Sequence, residues 1–305
     1  MKRDFLTILD RDTEELRQLI HNAIELKKQR YTVPNKHLQG KSIALIFEKS
    51  STRTRVSFEV GVTELGGYPL FLSSADIQLG RGESVKDTAR VLSRYVSGIM
   101  IRTYGHSKVE ELAKYASIPV INGLTDEFHP CQIMADVMTA YERFNTFDKI
   151  KVAYIGDGNN IAHSWLNAAA RFGFELAIAS PVGCEPNKEF VKTAMDEAKK
   201  TGGKIVVTSD PKVAVIGAHV VTTDVWASMG QESDAARKAE ILAPYQVNRG
   251  LMSLASPEAI FMHCLPAHLG EEVTEELFES KASVVFDEAE NRLHVQKAIM
   301  VDTYR

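Results

Sequence analysis

Ser50-Ser51-Thr52-Arg53-Thr54-Arg55 gathers hydroxyls and two guanidiniums into one short run. It follows an apolar stretch, Ile43 to Phe47, and leads into an apolar-periodic segment that starts near Val56. That order reads as strand, loop and helix start. The first turn of a helix has unsatisfied N–H groups and the positive end of the dipole, so it already favours an anion. An arginine fork donates two hydrogen bonds at once to a tetrahedral oxyanion. The chemistry indicated is phosphate binding. The plainer alternative is a Ser/Thr N-cap flanked by solvated arginines.

Further polar clusters sit where predicted strands end. Arg102 closes the strand Gly98-Ile99-Met100-Ile101, and His129-Pro130-Cys131-Gln132 precedes a long helix. Asn159 and Asn160 follow Gly156-Asp157-Gly158, Asp224 follows Val220 to Thr223, and His263-Cys264-Leu265-Pro266 follows Ile260 to Met262. Taken singly, each has an ordinary reading. His129 could be a turn histidine, Cys264 a small buried hydrophobe and Asp224 a helix cap. Five clusters at equivalent positions exceed what capping needs, and such strand ends are where doubly wound sheets bind ligands. Gly156-Asp157-Gly158-Asn159-Asn160 fits a dinucleotide fingerprint poorly. Ile161 stands where the third glycine belongs, and the next strand ends Ala179-Ser180-Pro181 without a carboxylate for a ribose. Neither GxxxxGK[ST] nor GxSxG occurs.

The elements that must position these residues alternate strand with helix. Helices are predicted over 13–30, 56–66, 85–96, 107–116, 132–144, 161–172, 187–201, 211–217, 235–244 and 288–303. Strands are predicted over 42–47, 68–72, 98–102, 118–121, 151–155, 174–180, 204–208, 218–222, 259–262 and 282–286. This implies α/β architecture with parallel sheets covered on both faces. The pattern restarts after the long helix, so two doubly wound domains flanking a cleft are expected. The division is 1–140, with the C-terminal helix 288–305 packing back on it, and 141–287.

Composition narrows the function classes. The chain has 305 residues, 44% apolar, and a net charge of −4. That balance gives no reason to expect nucleic acid or an anionic membrane, so positive potential must be local, as at Arg53 and Arg55. No apolar run reaches membrane-spanning length, and the acidic residues close behind the N-terminus do not suit a signal peptide or presequence. Cys131, Cys184 and Cys264 are odd in number and far apart, which suits a reducing cytoplasm rather than a disulfide framework. With no CxxC or HExxH, no zinc site is evident.

Together, Ser51-Thr52-Arg53-Thr54-Arg55, His129-Pro130-Cys131-Gln132, Asp224 with Ser228-Met229-Gly230, and His263-Cys264-Leu265-Pro266 resemble the ornithine branch of the carbamoyltransferase family. The resemblance spans essentially the whole chain. It implies transfer of the carbamoyl group of carbamoyl phosphate to the δ-amine of L-ornithine, without a metal or organic cofactor. It assigns Ser51, Thr52, Arg53 and Thr54 to the phosphate, and Arg102 to phosphate and carbonyl oxygen. His129 and Thr54 polarise the carbonyl, Gln132 binds the carbamoyl amide, and Arg292 contributes from the start of the last helix. Asn160, Asp224, Ser228 and Met229 bind the α-amino and α-carboxylate groups, while Cys264 and the Leu265 carbonyl lie near the reacting amine. Gln78, in the polar loop 73–84, matches a residue lent to a neighbouring subunit, and the family is built on trimers.

Three other readings remain open at this stage. One is carbamoyl transfer to another amine, such as putrescine or an acetylated ornithine. A Cys264/His hydrolase would work by covalent catalysis and have no use for the phosphate clamp. The third is a non-catalytic small-molecule binder on the same fold.

Overall fold

A computed structural model describes residues 2–73, 82–227 and 235–304. Gln78, Ser228 and Met229 lie outside the described residues. The chain divides into two units, Met1–Met138 with Glu290–Arg305, and Thr139–Ala289.

The first unit is built on β1 (Ser42–Phe47), β2 (Tyr68–Ser73), β3 (Gly98–Arg102) and β4 (Val120–Leu124). They form a parallel sheet in the order β2-β1-β3-β4. Helices α1 (Thr13–Lys28), α2 (Thr52–Glu64), α3 (Val85–Tyr95) and α4 (His106–Tyr115) belong to this unit. β1 and β3 are almost wholly buried, as strands covered on both faces must be. The strand order reverses between β1 and β3. There Phe47 pairs with Arg102, so the two carboxyl ends meet at a topological switch point.

The second unit repeats the scheme with β5 (Lys151–Ile155), β6 (Glu175–Ala179), β7 (Lys204–Thr208), β8 (Val220–Thr223) and β9 (Ile260–His263), in the parallel order β7-β6-β5-β8-β9. Its reversal lies between β5 and β8, where Ile155 pairs with Thr223 and Thr223 with His263. α6 (Asn160–Phe172) and α7 (Lys188–Thr201) each end at a left-handed glycine, Gly173 and Gly202, which frees the chain to turn into the next strand. Helices α8 (Pro211–Val215), α9 (Ala235–Leu242), α10 (Arg249–Met252) and α11 (Glu275–Phe278) follow, and the division between the units falls inside two continuous helices, α5 (Pro130–Phe144) and α12 (Val285–Thr303). Among the described residues, no helix is long and apolar enough to cross a membrane.

Several boundaries differ from the sequence expectation. α2 begins at Thr52, not near Val56, because its first turn is polar and carries no apolar periodicity. The Ser51 side chain caps it by accepting from the Thr54 N–H. β4 runs over 120–124 instead of 118–121, since Pro119 has no N–H to give a ladder, and its register shifts at Ile101/Arg102. The strand predicted over 282–286 is only a bridge between Phe261 and Ser283. The chain turns at once into α12, whose first turn carries Asp287 and Glu288 against the positive end of the helix. Arg292 therefore lies well inside this helix, not at its start. Short helices at Arg249–Met252 and Glu275–Phe278 have too few residues to show a period.

Candidate active site

In the first unit, four of the singled-out side chains are joined by hydrogen bonds. Thr54, held in the capped first turn of α2 and 1% exposed, accepts from Arg102 Nη1 at 3.4 Å and from Arg292 Nη2 at 3.0 Å. Arg292 Nη1 donates to Gln132 Oε1 at 2.6 Å. Gln132 Nε2 donates in turn to Asp136 Oδ1 at 2.7 Å, one turn further along α5. Four elements distant in sequence thus converge: the start of α2, the end of β3, the start of α5 and the middle of α12. Ser51 supplies the cap that shapes the turn, accepting at 3.2 Å. Thr52, at the first helical position, is exposed. Arg55 does not join the cluster. Its guanidinium lies 3.5 Å from the centroid of the Phe71 ring and donates to Glu59 at 3.0 Å, so the local positive charge comes from Arg53, Arg102 and Arg292.

His129 is buried beside this cluster. Burial, then the charges of Arg292, Arg102 and Arg53, hold its imidazole well below the ordinary histidine range. At neutral pH it is an uncharged ring among three guanidiniums, suited to donate one N–H to a carbonyl oxygen without bringing a further charge. Cys131, its near neighbour, is a core residue. Burial pushes its thiol up to about 12, and the Sγ donates to the Asn122 carbonyl at 3.4 Å.

In the second unit the cluster forms around Asp224, which follows β8 directly. Asp224 Oδ1 accepts from the Val225 N–H at 2.8 Å and from Cys264 Sγ at 3.0 Å, and Oδ2 accepts from Asn159 Nδ2 at 2.6 Å. Asn159 is the N-cap of α6, its Oδ1 accepting from Ile161 N–H at 3.0 Å and from the Tyr154 hydroxyl at 3.2 Å. Asn160 is the half-buried first residue of that helix. The sequence reading named Asn159 beside Asn160 but gave the binding role to Asn160, and it missed Asp136. The available signal for Asp136 was its spacing from Gln132, one helical turn.

The segment His263–Pro266 is fixed from below. Leu265 sits at φ 59°, a region rare for a side-chain-bearing residue. Its N–H donates to His263 Nδ1 at 2.9 Å, so Nδ1 is the unprotonated nitrogen. His263 Nε2 then carries the proton and faces Glu272 Oε1 at 3.2 Å. Burial works to raise the Glu272 carboxyl, but hydrogen bonds from His263 and the His268 N–H outweigh it and hold the group below its usual range. With both nitrogens engaged, His263 is not placed as a base for the Cys264 thiol, which points to Asp224. A Cys/His nucleophile pair is not assembled. The buried pair Lys238–Asp157 closes at 2.7 Å just past the end of β5.

Among the described residues, His268, Glu271 and Glu272 are the only group whose side-chain donors approach one another closely enough for a shared cation, within 4.8 Å. Glu272 is already engaged by His263 and the His268 N–H, and the other two are exposed. The donor set at Asp224, one carboxylate with an amide and a thiol, suits an ammonium group.

Comparison with known proteins places both units in one family. Residues 3–142 match the family model described as the aspartate/ornithine carbamoyltransferase carbamoyl-P binding domain, and residues 148–303 match that of the Asp/Orn binding domain. The ornithine carbamoyltransferase of Carboxydothermus hydrogenoformans is 56% identical over 299 residues, covering 98% of this chain and 96% of the relative. Among solved structures, the ornithine carbamoyltransferase from Pyrococcus furiosus superposes with a TM-score of 0.95 at 51% identity, covering 98% of this chain and 96% of that one. The anabolic ornithine carbamoyltransferase from Campylobacter jejuni gives 0.94 at 45% identity over the full length of both chains. Matches of this extent leave no part of either unit outside the pattern, and the chain belongs to the aspartate/ornithine carbamoyltransferase family.

Proposed function

We propose that this chain transfers the carbamoyl group of carbamoyl phosphate to the δ-amino group of L-ornithine, yielding L-citrulline and phosphate. The observation that carries the reading is the guanidinium cluster on Thr54 and Gln132 with a neutral imidazole beside it. Ser51, Thr52, Arg53, Thr54 and Arg102 hold the phosphate, with Arg292 reaching the same group. Arg102, His129 and Thr54 take the charge that develops on the carbonyl oxygen, and Gln132 receives the carbamoyl amide. On the other side of the reaction, Asp224 with Asn159 and Asn160 holds the α-ammonium and α-carboxylate ends of ornithine, together with Ser228 and Met229. Cys264 and the Leu265 carbonyl face the δ-amine.

The chemistry is direct displacement. The neutral amine attacks the carbonyl carbon, the carbonyl electrons move to oxygen, and the bond to the phosphate oxygen breaks as the oxyanion collapses. The proton released by nitrogen passes to the departing phosphate, so no covalent intermediate, metal or organic cofactor is called for. The first unit serves as the carbamoyl-phosphate domain and the second as the ornithine domain. The working assembly is a homotrimer in the cytoplasm, in which Gln78 completes a neighbour's site.

The test is a product assay. Purified protein with carbamoyl phosphate and L-ornithine forms citrulline and phosphate in equal amounts, with putrescine, N-acetyl-ornithine and L-aspartate as poor acceptors. Absence of citrulline, or a faster reaction with putrescine, contradicts the reading. Mixing inactive Gln78 and Arg102 variants restores some activity in mixed trimers if the site is shared.

A further inference from the structure

Arg292 joins Thr54 to Gln132, and its long, flexible side chain needs a reason to stay in that plane. The reason lies one turn along α12. Gln296 is fully buried, and its carboxamide is satisfied in one orientation. In that orientation its oxygen accepts from Arg292 Nε at 3.3 Å and Nη2 at 3.2 Å, while its nitrogen donates to Ser57 Oγ at 2.7 Å. The Ser57 hydroxyl donates in turn to the Arg53 carbonyl at 2.7 Å. Acceptors from α2, α5 and α12 thus meet Nε, Nη1 and Nη2 of one guanidinium. That is what fixing the plane of a fork requires.

We infer that Gln296 is a positioning residue for carbamoyl phosphate, orienting Arg292 and tying it through Ser57 to the backbone turn that carries Arg53. The inference rests on the carbamoyl-phosphate reading of the first unit. Gln296 touches no reacting atom in this scheme. A residue that only filled the core here would be apolar, since a buried carboxamide is costly unless paired. A residue that only tied α12 to α2 would need Ser57 but not Arg292.

The test is steady-state kinetics of wild type, Gln296→Leu, Gln296→Met and Arg292→Gln, with KM measured separately for each substrate and Tm recorded. Loss of a hydrogen bond to a charged donor corresponds to about a tenfold effect. Both Gln296 variants should raise KM for carbamoyl phosphate by about that factor, weaken competition by inorganic phosphate alike, and leave KM for ornithine within about twofold. Methionine keeps the length and packing, so the measurement survives if leucine disturbs folding. An unchanged KM for carbamoyl phosphate in a folded Gln296 variant overturns the inference. So does a parallel rise in both KM values together with a fall in Tm, which marks a merely structural role. If Arg292→Gln also leaves carbamoyl phosphate kinetics untouched, the underlying reading fails as well. If only the Gln296 variants are silent, the inference fails alone.

Discussion

Beside the switch point of the first sheet, where Arg53 follows β1 and Arg102 ends β3, His129 is buried near these two and Arg292. Burial and these charges push it far below the histidine range. At the switch point of the second, Tyr154 is buried beside Asp224, Asp157 and Cys264. Burial and these groups push its hydroxyl well above the usual tyrosine range. Both residues are reporters in the same kind of place, the carboxyl end of a doubly wound sheet at its reversal. The charges around them have opposite sign. The same topology therefore supplies the location, and the loop residues supply the charge. One unit gathers guanidiniums around a neutral ring, the other carboxylates around a phenol.

Breaking the cationic side should cost most. Arg102→Gln removes a buried donor from Thr54 and one of the three charges around His129, and such donors are worth about 10²–10³-fold in turnover. The kcat/KM for carbamoyl phosphate at saturating ornithine should fall by that order. An unchanged value removes Arg102 from the anion site.

Asp224→Asn acts on the other side. It keeps the shape but removes the charge expected to pair with an ammonium, at a cost of about 2–3 kcal/mol. The kcat/KM for ornithine should fall about 30- to 150-fold, while carbamoyl phosphate still raises Tm as in wild type. Equal damage to both substrates would erase the distinction between the units.

The comparison also has a pH signature. His294, in the first unit, is lowered to about 3 by burial and by Lys297, Lys27 and Arg30, outweighing Glu64. Its native ring stays neutral while the unfolded chain takes up a proton below about pH 6.5. The unfolded state then binds more protons, so stability rises with pH between about 3 and 6.5 and is lost as pH falls through that window. His294→Gln should flatten the fall in unfolding free energy between pH 6 and 5 by about 1 kcal/mol in chemical denaturation. An identical slope excludes His294 as a source of acid sensitivity.

The smallest effect is expected at Cys264. Its thiol, a weak donor, gives a hydrogen bond to the Asp224 carboxylate at 3.0 Å, worth about 1 kcal/mol. Cys264→Ala should lower kcat/KM for ornithine about fivefold. Complete loss of activity would instead point to a nucleophilic thiol.

Much of this was legible in the sequence because buried parallel strands read as apolar runs that stop abruptly at polar residues. Arg102, Asp224 and His263 announce the ends of β3, β8 and β9 in that way. What was not legible has three physical sources. The polar first turn of α2 hides its start from any periodicity argument, although its cap, Ser51, was part of the motif. Adjacent asparagines give no local sign of which one caps, and the structure puts Asn159, not Asn160, against Asp224. The links from Arg292 to Thr54 and Gln132 cross 238 and 160 residues of chain, a separation on which local pattern is silent. Arg55 shows the converse: a charged residue in the right motif, turned away onto Phe71 and Glu59.

Calorimetric titration of carbamoyl phosphate into wild type, Arg102→Gln and Asp224→Asn tests the division of labour most directly. Asp224→Asn should bind within about twofold of wild type and Arg102→Gln at least about thirtyfold more weakly, the loss of one buried charged hydrogen bond or more. Weak binding by Asp224→Asn with normal binding by Arg102→Gln would contradict that division.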